Sequence, residues 1–110
     1  MAGLKNQPFF LIMAAYLFYA ELPPATEEIM NVIPAHRQHI NRMFAEGRIL
    51  SYSVSAQRTM IWCVMNAEDE QEALEMFSRL PLYPYFTDIS CTALLFHNTI
   101  PASLPEISLN

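Results

Sequence analysis

The stretch Leu80-Pro81-Leu82-Tyr83-Pro84-Tyr85-Phe86 lies between an acidic amphipathic segment and a final apolar run, and it decides how the chain is parsed. Pro81 and Pro84 each lack an amide proton and disfavour helical geometry in the residue before them, so a helix must end here. Tyr83, Tyr85 and Phe86 add large apolar surface, the tyrosines with polar tips. A connection built this way is anchored to the body of the protein and can line a cleft.

Downstream, Thr87 to Phe96 is the last strand. The tail after His97 contains Pro101 and Pro105 and is expected as an irregular arm over residues 98–110, suited to lie across a neighbouring subunit. Upstream, a helix is expected over Ala67 to Leu80, capped by Asn66 with Asp69 reaching back as in a capping box. Glu68, Asp69, Glu70 and Glu72 fall in its first turns, where the helix dipole favours them. Ala73, Leu74, Phe77 and Leu80 form its apolar stripe.

Before it, Met60 to Asn66 and Ile49 to Ala56 are two strands joined by a hairpin around Gln57-Arg58, without the glycine a tight primed turn prefers. The earlier strand alternates, with Leu50, Tyr52, Val54 and Ala56 on one face and Ser51, Ser53 and Ser55 on the other. From Thr26 to Glu46 the period is helical: Ile29, Val32, Ile33, His36, Ile40, Met43 and Phe44 recur at three- and four-residue steps. Gly47 closes this helix, and Pro34 predicts a kink by leaving the carbonyl near Met30 without its usual partner. Phe9 to Tyr19, bounded by Pro8 and Pro23-Pro24, is the first strand. Both of its alternating sets are apolar, so both faces should be buried.

The order strand-helix-strand-strand-helix-strand defines an α+β, ferredoxin-like βαββαβ domain over residues 1–97, with residues 1–7 as a flexible lead. Right-handed crossovers interleave its halves into a four-stranded antiparallel sheet with both helices on one face. The first and third strands fall in the centre. Cys63 and Cys91 then flank the first strand, about 9.6 Å apart, beyond the roughly 7 Å that a disulfide spans. Free thiols are expected.

A chain of 110 residues holds one domain with a small core, and 53% hydrophobic against 15% charged residues leaves few charges to cover its surface. Burial of the sheet's second face against another copy relieves that mismatch, so a homo-oligomer is expected. A net charge of −5 opposes nucleic acid binding, and no basic amphipathic stretch points to a membrane surface. Phe9 to Ala20 is too short for a membrane span, which needs about 20 apolar residues. As a leader peptide it places Phe18 badly for cleavage after Ala20, and cleavage would remove a strand. The cytoplasm is the expected compartment.

His36 is the sharpest candidate for chemistry. At about 100° per residue, Ile29, Ile40 and Met43 lie within about 40° of it, so it points from the apolar stripe towards the sheet. Burial there lowers the pKa of a ring and keeps it neutral. Two readings stand side by side: a pocket acid-base group, or a core histidine bonded to a backbone carbonyl or to a tyrosine such as Tyr52. His39 makes a His-x-x-His pair with it, but nothing nearby completes a metal site. Arg37, Arg42 and Glu46 read as a solvated face. Arg58 can hold a substrate carboxylate bidentately or be an exposed turn charge. Tyr52 and Tyr85 can donate to an oxyanion, Trp62 can wall a flat-ligand pocket, and Asp88 can orient His36. With only Gly3 and Gly47 there is no phosphate loop, so no nucleotide cofactor is expected.

The Leu80 to Tyr85 segment and the Glu46-Gly47 helix end resemble the muconolactone isomerase family, whose second helix also ends in Leu-Pro-Leu-aromatic-Pro-Tyr. The similarity runs from about Phe9 to His97. It implies a dimeric α/β barrel in which sheets pack between subunits, within larger rings. It also implies proton transfer beside a lactone carbonyl, without metal or organic cofactor. The family carries acidic and lysine residues where this chain has His36 and Arg37, and basic and aromatic ones at Ser51 and Ser53. The expected function is therefore a small carbonyl- or lactone-binding protein, with His36 as acid-base group, Tyr52 or Tyr85 as hydroxyl donor, Trp62 as a wall and Arg58 on the ligand. The alternative is a non-catalytic oligomeric binding or structural module.

Overall fold

A computed structural model describes residues 13–98. Strand β1 spans Ala14–Glu21, helix α1 Glu27–Ala45, β2 Ile49–Val54, β3 Met60–Ala67, helix α2 Glu70–Ser78 and β4 Thr87–Leu94, with a 3₁₀ turn at Tyr83–Tyr85 before β4. The sheet order is β2-β3-β1-β4, every neighbouring pair antiparallel, which is the expected ferredoxin-like arrangement. The two helices pack on one face. The expected Phe9 to Ile12 part of β1 and the tail beyond residue 98 lie outside the described residues.

Phe18 is the hub of the core. It is fully buried, pairs with Cys63 on one side and Cys91 on the other, and stacks on Phe77 of α2 with ring centroids 4.3 Å apart. Both cysteines are free, as their separation across β1 requires. Tyr16, Phe18 and Ala20 supply the inner row of β1, and Ile61, Cys63, Met65 and Ala67 that of β3. Burying such side chains stabilises the fold by about 1.5–3 kcal/mol each.

The outer row behaves differently. Ala15 and Leu17 are half-buried, while Tyr19 is 41% exposed beside its cross-strand partner Trp62 at 37%. The expectation that both faces of β1 are buried thus holds only for the inner face of a single chain.

Several local expectations shift for identifiable reasons. Helix α1 begins at Glu27 rather than Thr26, whose hydroxyl caps it by accepting from the Ile29 amide at 3.3 Å; Pro34 lies inside its span. In β2 a bulge places Ile49 opposite Met65 and Ser51 opposite Val64, so Ile49 rather than Leu50 is fully buried. The hairpin after β2 turns without glycine because Arg58 itself adopts a left-handed φ of 62°, with the Ser55 hydroxyl accepting from the Thr59 and Met60 amides.

Helix α2 starts three residues later than its apolar pattern suggests, because pairing with β1 draws Ala67 into β3. Asp69, not Asn66, is the cap, accepting from the Glu72 amide at 2.8 Å, while the Glu72 carboxylate accepts from the Glu68 amide at 2.7 Å. Leu74 faces solvent, and Met76 takes its place in the core. Asp69→Ala is expected to cost about 1 kcal/mol in urea denaturation, the usual value of a cap. Asn66→Ala should cost less than half of that, since its side chain makes only a 3.4 Å contact with the Gly47 carbonyl.

Candidate functional site

The Leu80–Phe86 segment is anchored as its composition demands. Leu80, Leu82 and Phe86 are buried, and amide-carbonyl bonds Tyr83 to Leu80, Tyr85 to Leu82 and Phe86 to Tyr83 close successive tight turns. Phe86 packs against Phe77 on one side and edge-on to the His36 ring on the other, at 6.3 Å. A path of rings therefore runs from the core at Phe18 to His36.

His36 is the one buried polar residue in the described core, 3% exposed. Its Nδ1 accepts the buried Leu82 amide at 3.2 Å, and its Nε2 lies 2.7 Å from the Tyr52 hydroxyl. These contacts define the tautomer. A nitrogen that accepts an N–H carries no proton, so the proton of the neutral ring sits on Nε2 and is donated to the Tyr52 oxygen. The Tyr52 oxygen acts as acceptor, and its own O–H proton is left free. Among the described residues no acceptor takes it.

Burial holds the His36 pKa down at about 4, with the charge of His39 contributing second. The same burial raises the Tyr52 phenol well above its usual range, with Cys63 adding to the effect. At neutral pH this is a neutral imidazole holding a neutral phenol. Of the partners expected for a core histidine the ring has Tyr52, but its second partner is a backbone amide rather than a carbonyl.

Both side chains open onto a cleft of about 720 Å³. Its walls are the Leu22–Ala25 loop, α1 through Ile29, Ile33, His36 and Arg37, the β2–β3 hairpin from Val54 to Thr59, and Leu82 with Tyr85. A bond from the Leu22 amide to the Thr59 carbonyl at 2.8 Å ties the loop to the hairpin. The lining is mostly apolar and, among the described residues, contains no aspartate or glutamate, the usual character of a small-molecule site.

Of the residues singled out from the sequence, His36, Tyr52, Arg58 and Tyr85 come together around this cleft. The Tyr85 hydroxyl is already committed, donating to the Glu28 carboxylate at 2.7 Å, a bond that raises its pKa. Trp62 does not join them. It pairs with Tyr19 and Ser53 on the open face of the sheet, because the period-2 alternation of β3 sends Cys63 inward and Trp62 outward. Asp88 sits exposed at the start of β4 in a left-handed conformation and makes no bond to His36.

His39 bonds Arg42 at 3.3 Å. No group of three metal-ligating side chains is found among the described residues. Arg37, read from the sequence as solvated, is exposed and also borders the cleft.

A family model described as muconolactone delta-isomerase matches residues 10–99 and so spans every strand and helix above. No curated protein gives a significant match.

The native ring resists protonation until about pH 4 while the unfolded ring binds a proton below 6.5. The unfolded state therefore binds more protons in that window, and stability falls as pH drops through it. Discounted for solvent reaching the ring from the cleft, the loss is about 2 kcal/mol. Urea titrations at pH 7.5 and 4.5 should show this extra loss for the native sequence relative to His36→Gln, which has no titrating group there.

Proposed function

The chain belongs to the muconolactone delta-isomerase family, and from that premise we propose that it binds a small, flat carbonyl or lactone metabolite in the cleft beside His36. The free Tyr52 proton carries this reading. A hydroxyl whose oxygen is held as an acceptor by His36 presents its hydrogen to the cleft, ready for a ligand carbonyl oxygen. In a proton-transfer isomerisation a base, which here has to be water entering the open cleft, takes a proton from the carbon next to that carbonyl, and the electron pair moves onto the oxygen. The proton then returns further along the conjugated system. Tyr52 stabilises the enolate oxygen, and such a donor contributes most where water is excluded.

On this geometry His36 is a positioning residue for Tyr52 rather than the group that moves the proton. Taking a proton at Nε2 would require one on Nδ1, where the Leu82 amide points.

A second reading is a non-catalytic binding module of the same fold. The observation that favours it is that, among the described residues, no lining side chain offers a free basic lone pair: Nδ1 is occupied, Tyr52 stays protonated, and no carboxylate is among them. One measurement parts the two. Muconolactone, the compound in the family's description, is incubated with the protein in deuterated water and followed by NMR. Enzyme-dependent exchange beside the carbonyl supports isomerase chemistry, and Tyr52→Phe should slow it by roughly 10²-fold. Saturable binding without exchange leaves the module.

The proposal includes self-association through the open sheet face, where Tyr19 and Trp62 stand exposed beside Leu17 and the already buried Val64. Among the described residues no helix is long and apolar enough to cross a membrane. Trp62→Lys with Tyr19→Lys should convert a sedimenting dimer or larger ring into a monomer. A native chain that sediments as a monomer at micromolar concentration ends this part of the proposal.

A further inference from the structure

We propose that residues 27–33, the part of α1 before Pro34, are a lid over the cleft, hinged at Pro34 and latched by the hydrogen bond from Tyr85 to Glu28. The inference concerns motion and goes beyond the binding reading. It is tested without a ligand.

Pro34 divides α1 into two parts that are held very differently. It has no amide proton, so the Met30 carbonyl loses its helical partner, and α1 bends most easily at this point. Beyond Pro34, His36, Ile40 and Met43 are buried, and the His36 ring is fixed by the Leu82 amide and the Tyr52 hydroxyl. Before it, Ile29 is the one buried residue, while Glu27, Glu28, Met30 and Asn31 are exposed. The capping bonds stay at this end of the helix: the Thr26 hydroxyl and carbonyl accept from the Ile29 and Met30 amides. They travel with the lid.

Among the described residues, the Tyr85–Glu28 bond at 2.7 Å is the one side-chain hydrogen bond from residues 27–33 to another element. It joins α1 to the 3₁₀ turn before β4. That turn is itself fixed, since the Tyr85 amide bonds the Leu82 carbonyl and both Leu82 and Phe86 are buried. The latch lies in solvent, where water replaces either partner at little cost. Few buried contacts and one exposed bond mark a segment that opens while the rest of the fold stays closed.

The place of these turns gives their motion a consequence. Ile29 and Ile33 from the lid and Tyr85 from the latch line the cleft together with His36 and Tyr52. At the other end the Leu22 amide is pinned to the Thr59 carbonyl. Pro23 and Pro24 make a stiff link from that pin, which leaves the exposed Ala25 as the joint. Rotation about Pro34 therefore carries Ile29 and Ile33 off the cleft without unfolding the helix, and uncovers the His36–Tyr52 pair.

Methyl relaxation dispersion on the full chain, labelled at isoleucine, reads motion on the microsecond to millisecond scale of lids. Ile29 and Ile33 should share one exchange rate, while Ile40 beyond the hinge and Ile61 in the sheet stay flat. Tyr85→Phe and Glu28→Ala should each raise the open population by about fivefold. Pro34→Ala, which returns an amide to the hinge, should lower it by at least as much. An unshifted Ile61 signal reports that each variant is folded. A soluble nitroxide should broaden the His36 ring protons more in the two latch variants than in the native chain, because the open state admits it to the cleft. Exchange at Ile40 matching that at Ile29 overturns the hinge, since α1 then moves as one body. Flat profiles at Ile29 and Ile33 in the native chain and in both latch variants overturn the lid. Unchanged His36 broadening in variants with raised exchange overturns its place over the cleft.

Discussion

The Leu82 amide hydrogen bond to His36, and the bond His36 makes in turn to Tyr52, join three elements far apart in sequence. Helix α1 supplies the ring, the proline-flanked segment supplies the donor, and the edge strand β2 supplies the hydroxyl. A buried amide left unpaired costs about 1–3 kcal/mol, so the segment needs this acceptor. The acceptor must be neutral, since a protonated ring has no lone pair for the amide. Burial that holds the ring unprotonated therefore protects the segment's anchorage and sets the hydrogen-bond direction at Tyr52. Structure and candidate chemistry rest on the same proton position.

The anchorage works because the segment is also packed. Phe86 wedges between Phe77 and His36, and Phe77 stacks on Phe18 at the centre of the sheet. Displacing the ring of His36 would disturb this aromatic column as well as the amide. On the far side of the sheet the described residues form no such column. There Tyr19 and Trp62 form an exposed cross-strand aromatic pair, a surface whose apolar area is suited to association. The two faces of one strand thus serve opposite ends: Phe18 fills the core, and its neighbour Tyr19 faces outward.

Much of this was legible in residue order. The period-3.6 stripe of α1 located His36 among Ile29, Ile40 and Met43, all buried in the structure. The prolines stopped α2, and the flanking positions of Cys63 and Cys91 excluded a disulfide. What was not legible depends on pairing. The bulge at the start of β2 exchanged Leu50 for Ile49 in the core, a one-residue slip that alternation cannot reveal. The pairing of Ala67 with Ala14 moved the α2 cap from Asn66 to Asp69. Trp62 is large and apolar enough for a core or a pocket wall, and only the register on β1 sends it outward.

By itself, the sequence determined the order of elements, the fold class and the presence of a histidine in an apolar stripe, because periodicity and proline act locally along the chain. Tertiary structure alone decided which groups meet. The direction of the His36–Tyr52 bond and the commitment of Tyr85 to Glu28 both arise between residues distant in the chain. Such contacts depend on strand register and on where a loop is pinned, and neither leaves a periodic trace in the sequence.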